Sequence, residues 1–251
     1  MRIGQLLGSG RSAEVFALDE EWVLRRYRHG ADARDEVAVM AHLAASAFPV
    51  PTVRITDVPS EMVMERLHGK TMLEAWLAGE ITEREAAATL AQLLHRLHAV
   101  PARVAALPGD RILHLDLHPH NVMLTARGPV VIDWYTTAEG PEGLDWAMTA
   151  LILAEVAVAP PVAGTEATAL AAGARSMLTY LLGLRDRRID LGDAQSGCLA
   201  RARTRRAADP HLSPQEIDRL DEALALVHTL VNSVSTYPNP ATRTEAQSEA
   251  R

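Results

Sequence analysis

The run His114-Leu115-Asp116-Leu117-His118-Pro119-His120-Asn121 gathers a carboxylate, a carboxamide and three imidazoles, and Asp133 follows twelve residues after Asn121 at the end of the apolar stretch Val130-Val131-Ile132. A lone carboxylate can orient a hydroxyl or take its proton, while amide and carboxylate oxygens suit a hard divalent cation. Two other chemistries compete for the same residues. In one, the run is a polar turn whose side chains only satisfy backbone groups. In the other, His114, Asp116, His118 and His120 alternate along a strand, share a face and ligate metal for hydrolysis. Against the second, Pro119 interrupts a central strand, and the regular strand–helix alternation of a hydrolase barrel is missing.

Such residues need short strands to hold them. Ile112-Leu113 and Val122-Met123-Leu124 bracket the loop as strand candidates, and Gly128-Pro129 turns into Val130-Val131-Ile132. Upstream, Leu6-Leu7, Val15 to Leu18, Trp22 to Tyr27, Val53 to Thr56 and Met62 to Leu67 read as strands of an antiparallel sheet. One helix interrupts them between about Asp32 and Ser46, with Glu36, Val39, Met40 and Leu43 on one face, and Phe48-Pro49-Val50-Pro51 stops it.

After His68-Gly69 the period changes to 3.6. Thr82-Glu83-Arg84-Glu85 is a capping box opening a helix with the stripe Leu90, Leu93, Leu94 and Leu97, near whose end His98 should pack. The apolar stretch from about Trp146 to Ala159, closed by Pro160-Pro161, predicts a buried helix too short for a bilayer, and Ser213-Pro214-Gln215-Glu216 opens another helix to about Val231. The tail from Tyr237 is rich in Pro, Thr, Ser and Glu, which predicts flexibility.

With 251 residues, 48% of them hydrophobic, the chain can bury a substantial core. A net charge of −7 argues against a nucleic-acid surface, and the basic run Arg201 to Arg206 reads as a solvated helix face. The single cysteine, Cys198, excludes an internal disulfide and fits a reducing cytoplasm; no membrane segment or signal-peptide block is expected. Lys70 is the only lysine.

From Leu6 to about Ala147, and most closely from His114 to Asp145, the chain resembles the aminoglycoside phosphotransferase and choline-kinase-like family, a small variant of the protein-kinase fold. The resemblance implies an α+β fold in two lobes: residues 1–66 as a β-rich nucleotide-binding lobe, and residues 67–251 as a helical catalytic and acceptor-binding lobe. It also implies transfer of a γ-phosphate from ATP or another NTP, with Mg2+, to a hydroxyl of an aminoglycoside-, choline- or sugar-like small molecule. Asp116 would then be the catalytic base, Asn121 and Asp133 the magnesium ligands, and Asp145 in Gly143-Leu144-Asp145-Trp146-Ala147 an organiser of the loop.

By the same resemblance, Gly8-Ser9-Gly10-Arg11-Ser12-Ala13-Glu14-Val15 is the phosphate-covering loop, with Ala13 where a third glycine is usual. Backbone N–H groups of Gly8, Ser9, Gly10, Arg11 and Ser12 would approach the phosphates. Two-residue alternation puts Val23, Arg25 and Tyr27 on one face, so Arg25 takes the place of the usual lysine, Val23 borders the adenine, and Glu36 is the partner of Arg25. Main-chain groups of Glu65 and Leu67 would meet the adenine edge. Arg25 and Ala13 motivate one alternative, a catalytically weak nucleotide-binding module. Glu139, Glu142, Asp186, Asp190 and Asp193 are acidic candidates for attracting a cationic acceptor.

Overall fold

The computed structural model describes residues 3–10, 12–104, 107–159, 165–192, 195 and 197–235. Arg11, Asp193, Pro160-Pro161 and the expected tail from Tyr237 lie outside the described residues. The chain opens with a five-stranded antiparallel sheet built from β1 (Leu6–Ser9), β2 (Ala13–Ala17), β3 (Trp22–Tyr27), β4 (Val53–Ile55) and β5 (Glu61–Glu65) in the order β1-β2-β3-β5-β4. Helix α1 (Arg34–Ala45) lies between β3 and β4 in sequence and buries Glu36, Val39, Met40 and Leu43.

In the central strand, Arg25 pairs with Val15 on one side and Met62 on the other. The period of two sends Val23, Arg25 and Tyr27 to one face, where all three are buried, while Arg26 turns the other way and meets Glu61 at 2.7 Å. Strand β5 ends at Glu65, short of the expected Leu67: the Arg66 N–H still bonds in register to Glu21 O, but the Glu21 N–H turns to Asp19 Oδ1 at 2.8 Å in the hairpin turn, so the ladder closes there.

The remainder is mainly helical. β6 (Lys70–Thr71) leads into α2 (Met72–Leu77), opened by a Thr71–Glu74 capping box, and α3 (Glu83–His98) is opened by the expected one at Thr82 and Glu85. Strands β7 (Arg111–Leu113), β8 (Val122–Thr125), β9 (Gly128–Val131) and β10 (Ala138–Gly140) form two small sheets, β6-β8-β9 and β10-β7, that frame the loop from His114 to Asn121. Gly128-Pro129 is not the turn: Leu124 pairs with Pro129, so Ala126 and Arg127 make the bend and Gly128 opens β9 at φ 99°.

α4 (Glu142–Ala157) is buried from Gly143 to Ala154 and packs against α5 (Thr165–Leu184), α6 (Cys198–Ala207) and α7 (Pro214–Ser235). It starts before the expected Trp146, because Glu142 and Asp145 occupy its first turn, where negative charge suits the helix dipole. One apolar cluster runs from Val39 in α1 to Val227 in α7 and includes the fully buried Trp134 and Trp146; a smaller one joins Ala13, Tyr27, Ala33 and Met62. Among the described residues no helix is long and apolar enough to cross a membrane.

Candidate active site

β7 delivers the chain into the loop at His114, which is fully buried. Its Nε2 lies 3.0 Å from Ile132 O, its Nδ1 accepts the Asp116 N–H at 3.2 Å, and its ring meets Trp134 edge-on at 4.6 Å. Burial pushes the imidazole pKa down. The neutral ring with its proton on Nε2 satisfies both contacts. Leu115 then takes φ 63°, a left-handed conformation costly for a bulky residue, at roughly 1–3 kcal/mol.

Asp145 from α4 offsets that cost. Its carboxylate accepts the Leu115 N–H at 2.7 Å, the His114 N–H at 3.0 Å and Nε2–H of His98 at 3.0 Å. Burial alone would raise this carboxyl; the hydrogen bond and charge of His98, with His114 and the Leu115 amide, outweigh it and hold the group below the usual aspartate range. His98 therefore does more than pack at the end of α3: it reaches the residue that shapes the loop.

Asn121 ends a single 3₁₀ turn, Pro119–Asn121, and its Nδ2 donates to Asp116 O at 2.9 Å and Asp116 Oδ2 at 3.1 Å. This turn overturns the hydrolase alternation. His114 points into the core while His118 and His120 lie stacked 6.3 Å apart, and among the described residues no group of three or more His, Cys, Asp or Glu could hold a metal ion. Burial raises the Asp116 carboxyl, but hydrogen bonding and charge from His118, with His114 and Arg206, bring it below its ordinary value.

Asp133 stands at φ 64° just past β9, with 40% of its side chain exposed. Arg25, only 6% exposed, joins it to the sheet: Nη2 lies 2.6 Å from Asp133 Oδ1 and Nη1 3.3 Å from Glu36 Oε1. Arg25 is thus a buried cation paired with two carboxylates. Burial opposes its charge, yet Glu36 and Asp133 raise its pKa further above the usual range. Burial pushes the Glu36 carboxyl up; Arg25, the Tyr27 hydroxyl and the Trp134 N–H at 3.2 Å all bond to it and oppose that shift.

The donor set fits a hard divalent cation. Because Nδ2 of Asn121 is spent on Asp116, its Oδ1 is the atom left for a cation, and the half-exposed Asp133 offers a second hard oxygen.

Gly8, Ser9, Gly10 and Ser12 lie on the β1–β2 hairpin, closed by Gly10 N–H to Ala13 O at 2.8 Å and braced by Arg28, which donates to Ser9 Oγ at 2.7 Å. A Cβ on Gly8 would meet nothing within 4 Å, so open space adjoins the loop. Val23 lies buried opposite Met64. At Glu65 the expectation narrows, because its N–H is committed to Thr52 O at 2.8 Å and only its carbonyl remains for a base. Leu67 lies past the end of β5, outside any strand.

The sequence did not single out Glu155, Arg206 or Tyr27. Arg206 in α6 is not solvated as expected: it bonds Glu155 at 2.8 Å and Asp209 at 3.0 Å, and its charge acts on Asp116. Its neighbour Arg205 donates to Thr136 O at 2.8 Å, and Thr136 Oγ1 donates to His114 O at 2.9 Å, tying α6 to the loop. The described acidic candidates have local partners: Glu139 caps the Arg103 and Val104 amides, Asp186 pairs with Arg188, Asp190 accepts the Gly192 N–H, and Glu142 lies 3.9 Å from His98. Charge partners spread along a helix leave no periodic signal that could have marked Glu155 and Arg206.

This combination of sheet, paired cation and helical body is a kinase-like fold. It superposes on an apo thermostable mutant of aminoglycoside phosphotransferase APH(4)-Ia with TM-score 0.59 and 12% identity, over 94% of this chain and 96% of that one. A choline/ethanolamine kinase family protein from Mesorhizobium loti gives 0.58 and 15%, over 93% and 92%; the streptomycin-ATP-APH(2")-IIa ternary complex gives 0.52 and 15%, over 88% and 85%. No curated protein matches the sequence. The model of the phosphotransferase enzyme family matches residues 3–112 and 105–180, and the chain belongs to that family; in class it is a small-molecule kinase.

Proposed function

We propose that the protein transfers the γ-phosphate of ATP, with Mg2+, to a hydroxyl of a small molecule of the aminoglycoside, amino-alcohol or sugar type. The observation that carries this reading is the 3.1 Å contact between Asn121 Nδ2 and Asp116 Oδ2, which sets a base and a cation-binding amide side by side. Asp116 orients the acceptor hydroxyl and takes its proton. Asn121 and Asp133 would hold the magnesium, which neutralises charge on the phosphates when bound. Arg25, braced by Glu36, faces those phosphates, with N–H groups of Gly8, Ser9, Gly10 and Ser12 covering them. Val23, the Glu65 carbonyl and the Leu67 backbone border the base.

In this reading residues 1–66 form the nucleotide lobe and residues 67–251 the catalytic and acceptor lobe, and the protein works in the cytoplasm. The ATP and streptomycin named together in one structural neighbour support a shared cleft for nucleotide and acceptor. Calorimetric titration with ATP and GTP, with and without Mg2+, followed by phosphate transfer to a panel of aminoglycosides, amino alcohols and sugars, tests it. Magnesium-dependent binding and turnover on at least one acceptor is the expected result, and no nucleotide binding would sink it. A second reading, a nucleotide-binding module with little turnover, is favoured by one contact: Arg25 already engages Asp133 at 2.6 Å. Magnesium-dependent binding without transfer to any acceptor would select it.

A further inference from the structure

Tyr27 is a third side chain on the face that carries Val23 and Arg25. It is buried, its hydroxyl donates to Glu36 Oε2, and its ring lies 5.1 Å beneath the Arg25 guanidinium carbon. Burial and the neighbouring Glu36 push the phenol pKa upward, so the hydroxyl keeps its proton and remains a donor. Tyr135 stacks on the same ring at 5.7 Å and an interplanar angle of 27°. Tyr135 follows Asp133 and Trp134 directly and is 51% exposed.

These contacts decide where the Arg25 fork points. A carboxylate with both oxygens free takes a guanidinium bidentately, and here that would draw both Nη atoms onto Glu36. With Oε2 occupied by Tyr27, and Oε1 shared between Arg25 Nη1 and the Trp134 N–H, Glu36 holds only one arm, and Nη2 is left directed at Asp133. The Tyr135 stack and the Trp134 amide bond together fasten the segment carrying Asp133, whose φ of 64° needs such support.

We propose that Tyr27 is a positioning residue of the phosphate site, directing Arg25 through Glu36 and holding the Asp133 segment through Tyr135. This rests on the kinase reading above and adds residues to it. A tyrosine that merely filled the small cluster with Ala13, Ala33 and Met62 would be replaced by phenylalanine without consequence for ligands.

The test compares wild type with Tyr27→Phe, Tyr135→Ala and Tyr135→Phe. ATP affinity is measured by calorimetry with Mg2+, Mn2+ affinity in the ATP complex by electron paramagnetic resonance, and acceptor KM by steady-state kinetics. Tyr27→Phe should weaken ATP about tenfold, the scale of one lost hydrogen bond to a charged group, and leave acceptor KM unchanged. Tyr135→Ala should weaken Mn2+ several-fold, and Tyr135→Phe, which keeps the ring, should restore it. ATP binding by Tyr27→Phe equal to wild type overturns the proposal, even if its melting temperature falls. So does equal Mn2+ affinity in Tyr135→Ala and wild type, a readout open even if Tyr27→Phe does not fold. Wild type that binds no ATP would remove the kinase reading together with this one; normal wild-type binding with unaltered variants removes this one alone.

Discussion

The Leu115 N–H lies 2.7 Å from Asp145 Oδ1, so a strained loop residue is held by a carboxylate from the first turn of a buried helix. The same carboxylate accepts from His114 and His98, and none of the four groups has water to fall back on. Asp145→Asn keeps the shape but lacks the charge that three donors require, and one amide hydrogen then faces a donor. Chemical denaturation should show a loss of about 3 kcal/mol, in the range for breaking a buried charge network, with a fall in turnover from the displaced loop. The folded carboxyl lies below its unfolded value, usually 3.8, so its stabilisation is complete above that pH and lost as pH falls beneath it. A wild-type stability curve that keeps the same acid limb in Asp145→Asn would count against this account.

Asp116 is expected to act in proton transfer rather than in nucleotide binding. Asp116→Asn should lower kcat by about a thousandfold, or ~4 kcal/mol, with ATP affinity within twofold of wild type by calorimetry. Because its folded carboxyl also lies below the usual value, protonation of this group should limit wild-type activity only at pH below the ordinary aspartate range. Parallel losses of turnover and ATP affinity would instead make Asp116 a binding residue.

Much of this arrangement was legible in the sequence because its signals are local. The period of two along Trp22 to Tyr27 places Arg25 against Glu36, and the capping boxes at Thr82 and Ser213 start α3 and α7 where the structure has them. Asp116 and Asn121 meet because short strands on either side fix the loop ends, and the Ile132 N–H, one residue before Asp133, bonds Asn121 O at 3.0 Å. What stayed hidden depends on partners distant in sequence. Arg206 looks like any charge on a basic helix until α4 supplies Glu155, and Tyr27 looks like a core aromatic until Glu36 and Tyr135 reach it. The early end of β5 is of the same kind, since it is set by Asp19, far off in sequence, whose carboxylate takes the Glu21 N–H that would have bonded Arg66.

Arg25 bridges two carboxylates, so its loss acts on folding and on ligand binding together. Arg25→Ala leaves Glu36 buried without its cation and should cost about 3 kcal/mol in denaturation, alongside at least tenfold weaker ATP binding, ~1.4 kcal/mol. Arg25→Lys separates the two effects. A single ammonium keeps the charge but not the fork that spans Glu36 and Asp133, so stability should recover further than ATP affinity does. If both recover equally, the planar fork carries no weight in binding.

Glu155 is expected to read the acceptor. Burial raises its carboxyl while Arg206 at 2.8 Å opposes that, and the charges of Glu155 and Arg206 both reach Asp116. The bonds of Arg206 run to Glu155 in α4 and to Asp209, outside the β1–β2 hairpin and Arg25 that are expected around the nucleotide. Glu155→Gln keeps the side-chain volume but turns an ion pair into a hydrogen bond to a neutral amide, leaving Asp209 as the charged partner of Arg206. Acceptor KM should change at least fivefold, ~1 kcal/mol, while KM for ATP stays within twofold. A change in KM for ATP as large as that for the acceptor would mean that the α4–α6 pair supports the whole cleft and does not select what enters it.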